Sequence, residues 1–218
     1  MNPTDAQPRP GVPAPNRLRR GVKLAALAAL ALSLVAILGV AGLLAASLPR
    51  RDGTLTLAGL GAELTIERDA LGVVTVSAKD RRDVAFATGY VHAQDRYFQM
   101  DLARRYAAGE LSELFGAPAL ASDRRARVHR FRDVARRSVA RLSRQDQALL
   151  DAYTGGVNAG LDDLKARPFE YLLLRLKPAP WRAEDTALVI LSMFMNLQDT
   201  GEHEAKLGLM HEELAPAL

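Results

Sequence analysis

The sequence contains no cysteine. Disulfides, thiolate nucleophiles and cysteine zinc sites are excluded with it. A zinc-protease motif is also absent: His203-Glu204 has no second histidine one turn on, and His211 comes too late to share that helical face. Past residue 23 there is no surplus of either charge. Residues 1–23 carry Arg9, Arg17, Arg19, Arg20 and Lys23 against Asp5, which accounts for the whole net charge of +4. The basic excess therefore belongs to one tail and not to a polyanion-binding domain.

That tail leads into a charge-free run, Leu24–Leu48, rich in Leu, Ala and Val. As a helix it spans about 37 Å, enough to cross a bilayer with some tilt. Basic residues before it favour a cytoplasmic N-terminus, with everything after Pro49 outside the cytoplasm. The tail also suits anionic lipid. The expected division is a disordered Pro-rich tail over 1–21, a signal-anchor over 22–48, a linker over 49–53 and a domain over 54–218. A cleaved signal peptide, cut near Ala45-Ala46-Ser47, is the alternative; its apolar core is usually only ~7–15 residues.

The domain opens with strand patterns. Thr54–Ala58, Ala62–Arg68 and Val73–Ala78 alternate, with Gly59 and Gly61 in the first gap and a turn at Asp69-Ala70-Leu71-Gly72. Helices follow. Asp80 caps a helix expected to run to Gly116, with Asp83 in its first turn and a buried rhythm of Val84, Ala87, Val91, Phe98, Leu102 and Ala103. Asp95, Arg96 and Asp101 among aromatics and amides suggest a buried ion network, against the plainer reading of a solvated helix. Asp123–Arg144 reads as one Arg-rich helix. Its plain reading is a surface helix with Val128, Phe131, Ala135 and Leu142 inward; nucleic-acid binding is the sharper alternative and is set aside, because no aromatics interleave with the arginines.

Ser143 begins the next helix, with Asp146 three residues on. Leu149, Leu150, Tyr153, Val157 and Leu161 form its inner stripe. Gly155-Gly156 inside it costs roughly 1 kcal/mol per glycine relative to alanine, which close packing would explain. Asn158 beside them then needs a partner. Pro168 ends that helix, and Pro178, Pro180 and Trp181 form a stiff elbow. Ala183–Gln198 is an apolar helix assigned to the core.

The run Gly89-Tyr90-Val91-His92-Ala93-Gln94-Asp95-Arg96, continuing to Gly116, resembles the penicillin acylase family of N-terminal-nucleophile hydrolases. Three further blocks keep the family's order: Ala152–Ala159; then Pro168, Glu170 and Tyr171; then Lys177–Trp181 with Asp185. The resemblance runs from about Ala62 onward. It departs from the family at Val74-Thr75-Val76, where Pro-His-Ile is usual after the glycine. Isolated His92 and His129 are read as structural or exposed.

The resemblance implies an α+β fold: the mainly helical N-terminal segment of a four-layer αββα architecture. It implies cleavage of an N-acyl amide of the β-lactam side-chain or acyl-homoserine lactone type. The family's nucleophile opens a second, larger segment and uses its own amine as base. No Gly-Ser or Gly-Cys junction occurs here, and the one Gly-Thr, Gly53-Thr54, reads as linker. The catalytic set of this chain is thus expected to be empty, and its partner to be the beta segment of the same precursor. Alone it is expected to be inactive.

Position after Trp181 and Asp185 matches Phe194, Leu197 and Gln198 to acyl-pocket sites, with plain core packing as the alternative. Leu197 and Gln198 stand where the best-known members have a basic and an aromatic residue, which leaves a longer aliphatic acyl chain open. Glu204 matches an acidic ligand for structural Ca²⁺, with Glu202 and Asp199 as neighbouring alternatives and a solvated acidic face as the plain reading. No organic cofactor is implied. The rival reading of the whole chain is a truncated, non-catalytic membrane module.

Overall fold

A computed structural model describes residues 17–198 and 201–214. The chain divides into two compact units, residues 1–45 and 46–218. The first is dominated by helix α1 (Arg17–Ala46). Within it Arg20–Ala46 contains an 18-residue window of mean hydropathy 2.6 and is long and apolar enough to cross a membrane. Its one hydroxyl, on Ser33, is satisfied inside the helix by the Ala29 carbonyl, 2.9 Å away. The helix begins within the stretch expected as tail; most of that tail lies outside the described residues.

The second unit is mostly helical with one short antiparallel hairpin. Strands β1 (Thr65–Arg68) and β2 (Val74–Ser77) pair from Thr65↔Ser77 to Arg68↔Val74. The turn forms where expected, because Asp69 Oδ1 accepts from Leu71 N at 2.9 Å and Val73 N at 2.8 Å. The expected strand at 54–58 does not form, and the next one is confined to Thr65–Arg68. For the late start of the second strand Asp83 is the physical reason. Its carboxylate accepts from Gly61 N (2.8 Å) and Ala62 N (3.1 Å), taking donors a neighbouring strand would use.

Helix α2 (Arg81–Ala108) is the hub. Asp80 caps it, as the sequence predicts, but it ends at Gly109 in the left-handed conformation (φ 70°), short of Gly116. Gly116 instead closes a separate turn, α3 (Ser112–Phe115), after which 117–119 form a 3₁₀ turn. α2 is kinked at Arg96 (φ −144°, ψ 24°), which resets the helical phase. The predicted stripe is therefore right only in part. Ala87 and Val91 are buried, whereas Val84 is exposed and Phe86, Tyr90, Ala93 and Tyr97 are buried as well.

The Arg-rich stretch is two helices, α4 (Leu120–Arg127) and α5 (Phe131–Val139). They break at Arg130, a non-glycine residue with φ 52°. Of its predicted inner residues, Ala135 is buried but Val128 is 80% exposed.

Asp123 on α4 is buried and accepts from Leu111 N and Ser112 N, each at 2.8 Å, so it fastens α4 to the start of α3. Burial alone would raise its pKa. Hydrogen bonds from the Ser112 side chain and the Ser112 and Leu111 amides, with Arg127 nearby, outweigh it and hold the carboxyl below its ordinary value. A depressed folded pKa stabilises above the unfolded value of about 3.9, and that contribution is lost as pH falls through the folded value. Asp123→Asn is therefore expected to lower the midpoint of thermal unfolding at pH 6, with the gap to the parent closing below about pH 4. A gap independent of pH would show that the charge contributes nothing.

Helix α6 (Arg144–Asp162) starts at Ser143, whose Oγ accepts from Asp146 N at 3.1 Å. It lies against α2 at three glycines. A Cβ on Gly89, Gly156 or Gly160 would fall within 3.0 Å of the opposing backbone. α7 (Phe169–Leu174) begins after Pro168; α8 is Ala183–Leu197 and α9 is Glu202–Glu213. The aromatic core gathers Tyr97, Tyr171 and Trp181 with Ala93, Leu114 and Val157.

Candidate functional site

The site is built on the C-terminal half of α8, and its base is the Pro-Trp elbow. The Asn158 amide grips the elbow in both directions: Nδ2 donates to Trp181 O (3.0 Å) and Oδ1 accepts from Trp181 N (2.8 Å). The partner that Asn158 requires is thus the elbow backbone. Trp181 Nε1 reaches Thr186 Oγ1 at 3.1 Å on the first turn of α8.

Under the elbow lies a buried ion network. Asp101 accepts from Arg104 Nε (2.7 Å), Arg105 Nε (2.9 Å) and the Tyr171 hydroxyl (2.6 Å). Arg104 also donates to Pro180 O (3.0 Å) and Ala179 O (3.2 Å), pairs with Asp185, and lies 5.0 Å from the centre of the Trp181 ring. Asp185 closes the N-terminus of α8 by accepting from Arg182 N at 2.8 Å, and receives Arg132 at 3.1 Å. Burial alone would lower the Arg104 pKa; Asp101, Tyr97 and Asp185 reverse this and raise it. Burial raises the Tyr97 and Tyr171 hydroxyls too, so both remain proton donors, to Ala179 O and Asp101 respectively.

The expected buried network exists, but it is centred on Asp101 and not on Asp95–Arg96. Asp95 instead makes a two-bond contact with Arg68 of the hairpin, both bonds 2.9 Å, and Arg96 is exposed at the kink. Arg132, read in the sequence as a surface arginine, turns inward to Glu110 and Asp185. A single arginine facing the opposite way from its neighbours leaves no mark in an Arg-rich run.

From this base α8 projects an uncovered apolar stripe. Ile190, Met193, Phe194 and Leu197 recur at i, i+3, i+4 and i+7 and are 64%, 58%, 51% and 75% exposed. Leu188 and Ser192 are buried. The expectation that α8 is simply core therefore fails on one whole face. Phe194 meets Phe131 edge-on at 6.4 Å between ring centres, and Gln198 ends the helix in extended conformation. Phe194, Leu197 and Gln198 thus share the exposed end of one helix. Glu204 and Glu202 sit in the exposed first turn of α9, and Asp199 lies outside the described residues. Among the described residues no group of three or more His, Asp or Glu is placed to hold a metal. His92 bonds the Tyr153 hydroxyl at 3.0 Å, with burial lowering the imidazole pKa and raising Tyr153 to about 12; His129 stacks on Phe131. Both histidines are structural in their contacts.

Mostly helical with one short antiparallel hairpin, the chain is similar to penicillin G acylase. The solved thermostable enzyme from Alcaligenes faecalis matches with a TM-score of 0.57 at 25% identity, over 69% of this chain and 84% of that one. The family model for penicillin amidase matches residues 63–217, and the chain belongs to that hydrolase family. It is 41% identical over 138 residues to penicillin acylase 2 proenzyme of Pseudomonas sp. (strain SE83), covering 63% of this chain and 18% of that protein. It is 35% identical over 158 residues to the acyl-homoserine lactone acylase QuiP of Pseudomonas aeruginosa, covering 70% and 19%. Penicillin G acylase of Escherichia coli is 33% identical over 141 residues, covering 62% and 16%. The chain thus spans less than a fifth of the length of these last three relatives.

Proposed function

We propose that this chain is the N-terminal part of a membrane-anchored acylase that cleaves N-acyl amides outside the cytoplasm. Candidate substrates are β-lactam side chains and acyl-homoserine lactones, the two classes named among its relatives. In this reading α1 is the anchor, residues 49–53 the linker and 54–218 the incomplete catalytic domain. The chain supplies the wall of the acyl pocket through Phe194, Leu197 and Gln198. A beta segment of the same precursor brings the nucleophilic serine and the oxyanion donors.

The observation that carries the reading is the bare stripe on α8. A helix whose start is clamped by Asn158, Arg104 and Asp185 holds four large apolar side chains outward. Such a surface calls for a cover. A beta segment and an apolar acyl chain would provide it. The described residues do not by themselves fit a calcium ion, which takes six to eight oxygens. Glu204 is proposed only as one donor that the beta segment would have to complete, and no step is assigned to the metal.

The test is amide hydrolysis, measured with chromogenic N-acyl amides of increasing chain length. The chain alone is expected to give no turnover. Co-expressed with a beta segment bearing an N-terminal serine, it is expected to turn over. Phe194→Ala in that assembly is expected to lower kcat/KM for apolar acyl groups by about tenfold or more, the effect of losing one buried aromatic wall. Turnover by the chain alone would sink the division of labour. An unchanged kcat/KM in Phe194→Ala would remove Phe194 from the pocket.

A further inference from the structure

The segment spanning α4 and α5 concentrates charge that the rest of the chain balances. Residues 120–144 contain nine arginines and two acids, Asp123 and Asp133. Since the chain past residue 23 is neutral as a whole, the remainder carries the opposite excess. Some of these arginines are engaged. Arg127 Nε donates to Gly109 O at 2.8 Å, Arg132 is turned inward, and Arg130 and Arg136 pair with Asp133 at 3.0 and 3.7 Å. Arg124, Arg125, Arg137 and Arg141 are exposed, and among the described residues none makes an ion pair.

Apolar side chains complete the pattern. Along α4 and its C-cap residue, Leu120, Arg124 and Val128 recur at i, i+4 and i+8, with Arg125 beside them. Leu120 is 43% and Val128 80% exposed, and Asp123 and Ala126 occupy the buried face. The outward stripe therefore runs apolar, cationic, apolar. Interfacial helices present such a stripe to a bilayer, where apolar tips enter the headgroup boundary and guanidiniums meet phosphates. A nucleic acid would use the arginines but leave Leu120 and Val128 without a role. It would also want exposed aromatics for stacking, and Phe131, the segment's one Phe, Tyr or Trp, packs against Phe194.

We propose that the α4–α5 surface docks on a bilayer surface rich in anionic headgroups. The proposal rests on the reading above in one respect: an anchored α1 keeps the second unit near such a surface. The absence of cysteine makes one introduced thiol a unique label. The full chain carrying Val128→Cys, labelled with an environment-sensitive dye, is placed in nanodiscs of phosphatidylcholine or of phosphatidylglycerol-rich lipid. In the anionic discs the emission is expected to shift to the blue and to be quenched by brominated lipid, and molar salt should reverse both. Neither change is expected in phosphatidylcholine. Each basic residue near an anionic surface is worth about fivefold, so replacing Arg124, Arg125, Arg137 and Arg141 by Gln should weaken docking on the order of several hundredfold.

Equal emission in both lipids, or a shift that survives the four substitutions, overturns the proposal. Displacement of the probe from anionic discs by a DNA duplex overturns it in favour of nucleic acid. Failure of the anchor is read separately. If phosphatidylcholine discs do not retain the chain, α1 is not an anchor. Flotation of the free chain with phosphatidylglycerol vesicles, lost in the four-Gln variant, then decides the docking surface alone.

Discussion

Asp101→Asn is expected to destabilise the second unit by about 3–5 kcal/mol, the cost of removing one partner from a buried ion pair. Asp101 is fully buried, and its two oxygens take up Arg104, Arg105 and the Tyr171 hydroxyl. Asparagine keeps the shape but removes the charge and turns one oxygen into a donor facing other donors. Arg104 keeps Asp185 and the carbonyls of Ala179 and Pro180, and Arg105 keeps Glu113. Neither arginine can move to water, since both side chains are less than a tenth exposed. The loss is a large share of a typical domain stability of 5–15 kcal/mol.

Tyr171→Phe serves as the calibration. It removes one hydrogen bond and leaves the charges balanced, so about 1 kcal/mol is expected. Urea unfolding of the detergent-solubilised chain, followed by circular dichroism, compares the two. An Asp101→Asn cost no larger than that of Tyr171→Phe would mean the network is not what joins α2 to the elbow. The consequence reaches the proposed pocket, because Arg104 and Asp185 fix where α8 begins and hence where Phe194 points.

Much of this frame was legible in the sequence, and the reasons are local. Asp80 and Ser143 are side chains whose capping role depends only on the next three residues, so both helix starts could be read directly. Asn158 could be read as needing a partner, though not which one. The break at Arg130 could not be read, because an arginine with positive φ follows no propensity. The stripe on α8 misled for a related reason. Apolar periodicity reports that a face wants burial, not that the chain in hand buries it. Phe194, Leu197, Gln198 and Glu204 are placed by the family resemblance alone. In the fold they lie on one exposed helix end and in the next exposed turn.

The glycine contact between α2 and α6 gives the other large effect, and here helix propensity points the wrong way. In an exposed helix Gly→Ala stabilises by about 1 kcal/mol. Gly155→Ala is expected to behave so, because its Cβ would meet only the Phe86 ring, at 3.7 Å. Gly156→Ala, one residue on, is expected to destabilise by about 1–3 kcal/mol or more. Its Cβ would fall inside 3.0 Å of the Phe86 carbonyl oxygen, and backbone cannot rotate aside as a side chain can. Gly160→Ala meets the Tyr90 carbonyl in the same way, and Gly89→Ala meets that of Tyr153. Relief requires α6 to move away from α2, which stretches the bonds from Gln94 to Gly160 O (2.7 Å) and from Tyr90 to Asp163 (2.7 Å). Asn158 moves with α6, so its grip on the Trp181 backbone loosens as well. Thermal unfolding of the neighbouring pair decides the matter. Opposite signs for Gly155→Ala and Gly156→Ala mean that backbone contact sets the spacing of the two helices. A Gly156→Ala variant as stable as Gly155→Ala would mean that the helices have room to spare, and that the elbow is positioned by the Asp101 network without help from α6.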